Sequence, residues 1–87
     1  MVELEFDYNQ NKMIIQANLT DDFGTIINKY CQKAQIDKNT VTFWAHSVQI
    51  KENKKLIDTM NQIEKRDMKM NIAVFPLYLK KDKKSSG

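Results

Sequence analysis

Cysteine, histidine, glycine, proline and arginine are all scarce in this 87-residue chain, and each scarcity closes off a class of function. The single cysteine, Cys31, permits no intramolecular disulfide and no multi-cysteine metal site. A reducing setting is the simplest one for it, so a cytoplasmic or nuclear location is expected. Two glycines, Gly24 and Gly87, cannot build a glycine-rich phosphate loop. One histidine, His46, and one cysteine at no specific spacing assemble neither a nucleophile–base–orienter set nor a metal-ligand cluster. Neither enzymatic activity nor a cofactor is therefore expected. Arg66 is the only arginine among 14 cationic side chains, and lysines alone give little bidentate recognition of phosphate or guanine. Specific nucleic-acid binding is not expected. No apolar run approaches the ~20 residues that span a bilayer. The N-terminus alternates acidic and apolar residues instead of presenting a signal peptide.

What is present is enough for one small domain. A chain of this size buries only about 60–65% of the surface its unfolded form exposes, so its core is limited. The net charge of +3 comes largely from Lys80-Lys81-Asp82-Lys83-Lys84. The organisation expected is a globular domain over residues 1–77, followed by a flexible basic tail over residues 78–87.

The apolar residues are ordered by period. Leu4, Phe6 and Tyr8 alternate with Glu3, Glu5 and Asp7, which predicts a strand over Val2–Tyr8 with one buried face. A turn at Asn9-Gln10-Asn11-Lys12 leads to a second strand near residues 12–18, with Met13, Ile15 and Ala17 inward and Ile14 outward. Asp22 is a competent N-cap for a helix whose buried stripe is Phe23, Ile26, Ile27 and Tyr30. Cys31 falls beside that stripe and is read as structural; the alternative is a thiol whose pKa Lys29 and Lys33 lower slightly. A third strand, Val41–Ala45, turns Val41 and Phe43 inward and Thr42 and Trp44 outward. His46-Ser47 reads as a turn and Val48–Ile50 as a short strand. Residues 51–55 read as a polar loop, Leu56, Met60 and Ile63 as a loop with one helical turn, and residues 64–69 as a charged turn. The last strand is expected over Met70–Leu77, its exit marked by Pro76.

In that order the chain resembles a ubiquitin-like domain over about residues 2–75. The resemblance rests on the apolar spacing of Met13, Ile15, Ala17, Phe23, Ile26, Tyr30, Phe43, Ile50 and Leu56, and on short strings such as Leu56-x-Asp58. It implies an α+β fold of the β-grasp type: a mixed sheet of four to five strands packed on one main helix, in ββαββ(β) order. It also implies a binding surface on the exposed sheet face. That surface centres on Trp44, with Tyr8 at the hairpin, His46 and Ser47 in the turn, and Asn71 and Ala73 on the last strand. Ubiquitin's own patch is aliphatic, so Trp44 and Asn71 depart from it. Conjugated members of the family end in Gly-Gly, which this sequence lacks.

The function expected is therefore a non-enzymatic protein–protein interaction domain, part of a larger protein. Its partners would be proteins, with components of the ubiquitin–proteasome system as one class. The alternative is a scaffold domain of a cytoskeletal or ciliary assembly, in which lysines contact microtubules or another acidic surface. A covalent modifier ranks below both.

Overall fold

Residues 1–77 are described by a computed structural model. The alternation of the first segment is realised over Val2–Tyr8 (β1), where Val2, Leu4 and Phe6 lose all solvent exposure while Glu3, Glu5 and Asp7 take the reverse face. Asn9 and Gln10, both left-handed at φ 53° and 67°, form a two-residue hairpin turn into Asn11–Ala17 (β2). Left-handed backbone at both central residues gives a type I′ turn, whose twist matches the right-handed twist of the strands it joins. Helix α1 follows over Phe23–Ala34, with Asp22 as N-cap: its carboxylate accepts from the Thr25 backbone N–H at 2.9 Å. A 3-10 turn, Lys38–Thr40, leads into Val41–Ala45 (β3), then His46-Ser47 and the short Val48–Gln49 (β4). Two short helices, Leu56–Thr59 (α2) and Gln62–Asp67 (α3), precede Lys69–Pro76 (β5).

The strands form one sheet in the order β2-β1-β5-β3-β4. β5 lies parallel to β1 and antiparallel to β3, so it is the central strand. Pro76 closes it two residues past Val74, the last residue paired with β1, where a missing N–H costs no ladder bond to that strand. The core lies between the sheet and α1. At its centre Phe6 stacks on Tyr30 (centroids 4.2 Å, 12° between planes), and Phe43 meets both rings edge-on at 6.0 and 5.9 Å. Each such pair adds about 0.5–1.5 kcal/mol beyond the area it buries.

The polar stretch before α2 has a definite task. The Phe23 and Gly24 amides, two of the N-terminal donors that α1 cannot satisfy internally, donate to the carbonyls of Lys54 and Glu52 at 2.8 and 3.0 Å. Leu56 and Ile57 return the pairing by donating to Asp21 and Leu19. The loop is thus stitched to the start of the helix by its backbone, and its side chains are free to be polar.

Two expectations need correction. The charged turn over residues 64–69 is a helix: α3 runs Gln62–Asp67 and opens with a capping box. Asn61 accepts from the Glu64 N–H at 2.8 Å, and Glu64 accepts from the Asn61 N–H at 2.9 Å. Ile63, grouped with Leu56 and Met60, stays 61% exposed, because it rides the solvent side of that helix while the other two are buried. The scarcity of glycine also shows. Asn9, Gln10, Gln35, His46, Ser47 and Met68 all take left-handed backbone, at hairpin turns and helix ends where glycine is the usual occupant. Such a conformation costs a residue with a side chain roughly 1–2 kcal/mol. The basic tail expected over residues 78–87 lies outside the described residues.

Candidate interaction surface

Because side chains alternate along a strand, the register of the sheet fixes what its outer face presents. One row across the sheet reads Lys12, Asp7, Ala73, Trp44, Gln49. The next reads Ile14, Glu5, Asn71, and on the other side of the first row Phe75 pairs with Thr42. Trp44, Asn71 and Ala73 are thus brought together as the sequence suggests. Trp44 is half-buried and held in place. Its indole N–H donates to the Thr42 hydroxyl at 2.9 Å, and that hydroxyl donates to the Phe75 carbonyl at 3.3 Å. The polar edge of the ring is satisfied within its own face, which leaves the apolar part for contact.

The other three expected residues are placed differently. Tyr8 does not share the Trp44 face. It continues the Leu4–Phe6 side of β1, pairs with Val74, and packs half-buried against the core. The position carried over from the resemblance conflicts here with the strand's own alternation, and the alternation prevails. His46 and Ser47 form the left-handed turn between β3 and β4, at the border of the face. His46 turns away from Trp44 toward α3, with its Nε2 2.8 Å from a Glu64 carboxylate oxygen. Glu64 therefore uses one oxygen for the capping box and the other to tie the turn to α3.

Three outer-face residues are not among the expected contacts, although the alternation turns Thr42 and Asp7 outward. Phe75 is 53% exposed, two positions beyond Ala73 on the same side of β5. Extending the alternation past Ala73 finds it. Thr42 anchors the indole, and Asp7 borders Ala73. Ile14, expected outward, is 43% exposed. Along β1 this face carries Glu3, Glu5 and Asp7 in line, with Lys69 opposite Glu3 and Lys12 reaching Glu5 at 3.7 Å.

The cysteine sits as a structural residue would, and the lowered pKa weighed as its alternative is not found. Cys31 is buried on the core side of α1, and burial pushes its thiol pKa up, with Asp37 adding to the rise and Lys38 opposing it. Lys29 and Lys33 are exposed and do not lower it. Among the described residues no group of three or more His, Cys, Asp or Glu side chains is arranged to hold a metal ion. No helix among them is long and apolar enough to cross a membrane.

No protein-family model matches the chain, and no curated protein matches it. Solved structures do: 290 chains match. One is the crystal structure of ATBAG1 in complex with HSP70, with a TM-score of 0.73 and 12% identity. The match covers 97% of this chain and 45% of that one, so the sequence spans less than half of that neighbour's length. The fold is the ubiquitin-like β-grasp. At 12% identity the likeness concerns the path of the chain alone, and a ubiquitin-like fold by itself assigns no residue a role.

Proposed function

We propose that residues 1–77 act as a non-enzymatic protein-interaction module, one domain of a larger protein, that docks a protein partner on the outer sheet face around Trp44. The observation that carries this is the fixed tryptophan. Its N–H is already bonded to Thr42, it pairs with the small Ala73, and Phe75, half exposed, lies diagonally from it across the β3–β5 pair. A rigid, half-buried indole with a satisfied polar edge loses little entropy on binding and gains from further burial, the usual character of an interface anchor. That a protein which contains this fold in less than half of its length crystallises in complex with HSP70 agrees with a protein as the partner class. Components of the ubiquitin–proteasome system fit that class. The scaffold alternative, in which the domain meets microtubules, draws no support from this face, where Lys12 and Lys69 are matched against Glu5 and Glu3 and Asp7 adds a further negative charge.

The test is quantitative capture with the parent chain and with Trp44→Ala, followed by calorimetry on each recovered protein. A true partner should bind the variant at least about 30-fold more weakly, the equivalent of an anchor worth about 2 kcal/mol. If every recovered protein binds Trp44→Ala as well as the parent, the outer face is not the docking surface.

A further inference from the structure

β1 ends at Tyr8, opposite Val74, while β5 runs on to Pro76. The overhang of β5 and the Asn9-Gln10 turn bound a cavity of about 430 Å³. Asp7, Ala73 and Phe75 line it from the outer face and Tyr8, Val74 and Pro76 from the other side, so it is a notch at the end of β1 that reaches the outer face. Its outer-face lining is Asp7, Ala73 and the half-exposed Phe75, and Trp44 pairs with Ala73 from β3. Lys12 sits opposite Asp7 in register but extends its ammonium to Glu5. Among the described residues no ammonium or guanidinium lies within 4.0 Å of the Asp7 carboxylate. Behind Asp7, Glu5 is offset by Lys12 and Glu3 faces Lys69 in register, so Asp7 is the carboxylate of this line with no cation at hand among the described residues.

We propose that this notch receives an arginine side chain of the protein partner, and that the partner segment is basic. The proposal rests on the reading of the outer face as the docking surface. A carboxylate beside an aromatic ring over a small residue suits a guanidinium. Its N–H groups pair with the carboxylate, its plane stacks on the ring, and its stem lies on Ala73. An aliphatic anchor in the same place would cover Asp7 without compensating its charge.

Two synthetic peptides test this on the full 87-residue chain: acetyl-Leu-Ala-Arg-Ala-Leu-amide, and its citrulline counterpart, which keeps the shape and removes the charge. Titrations followed by ¹⁵N–¹H resonances should show the arginine peptide shifting the amides of Asp7, Ala73 and Phe75. Affinity should fall about fivefold with citrulline, and about as much with Asp7→Asn, an exposed site whose change leaves the fold intact. Equal binding of the two peptides, or shifts confined to other surfaces, overturns the proposal. If the peptides bind alike while a captured partner still loses affinity with Trp44→Ala, the arginine notch fails and the outer-face reading stands. If partner binding ignores Trp44→Ala, the failure belongs to the outer-face reading.

Discussion

The helix side of the sheet and its reverse are built from the same three strands. On the helix side β1, β5 and β3 present Leu4, Phe6, Ile72, Val74 and Phe43, none more than 5% exposed. On the reverse, one residue along in each case, they present Glu5, Asp7, Asn71, Ala73 and Trp44. The first set answers to shape: its rings stack at 4.2 Å and meet edge-on near 6 Å, and a changed volume is felt throughout. The second answers mainly to solvent and to whatever docks there. The contrast explains how a backbone can match a neighbour at a TM-score of 0.73 with 12% identity: the inner face needs only apolar residues of suitable size, and the outer face is free to diverge.

The sharpest way to break this division is to exchange effects between the faces. Phe6→Ala should cost about 3–5 kcal/mol of stability, read from urea denaturation, because it empties the centre of the aromatic trio. Trp44→Ala should cost less than about 1 kcal/mol of stability in the same experiment, its main loss being partner binding. A Trp44→Ala penalty equal to that of Phe6→Ala would erase the distinction. A local effect, well below that of Phe6→Ala, sits at the border of the two faces. Glu64→Ala removes both the capping box and the tie to His46, and should destabilise α3 by about 1 kcal/mol, seen as faster hydrogen exchange at its amides.

The smallest effect is a pH dependence on the helix side. The Thr25 backbone N–H, foremost among several contacts, holds the Asp22 carboxyl below its ordinary value of 3.8. A depressed carboxylate contributes stability that is present above the unfolded value and lost as pH falls through the folded one. The parent should therefore lose some melting temperature on acidification below 3.8 that Asp22→Asn does not lose. Identical acid profiles would remove the cap from the account.

Most of the inner face was legible because period-2 and period-3.6 spacing are direct records of burial. Leu4 and Phe6, Ile15 and Ala17, and the Phe23–Tyr30 stripe all fall where their spacing puts them. α3 was not legible that way: Gln62–Asp67 has one apolar residue, and that one is exposed, so no stripe marks it. Its trace is the capping pair Asn61 and Glu64, three residues apart. The outer face was only partly readable. Trp44, Asn71 and Ala73 follow from alternation, whereas the Thr42 anchor of the indole and the concavity beside Phe75 depend on which strands become neighbours. That information is spread over residues far apart in the chain.

The placing of β5 has a consequence for how the domain comes into being. The strand that unites β1 with β3 is the last of the five to be synthesised. Until Lys69–Pro76 has emerged from the ribosome, the β1–β2 hairpin and the β3–β4 hairpin share no strand-to-strand hydrogen bonds and expose the edges that β5 will occupy. Sheet closure is thus a late event that joins distant segments, a slower step than forming either hairpin. Nascent chains halted before residue 69 should be protease-sensitive across their whole length, and resistance should arise in one step once β5 has cleared the exit tunnel.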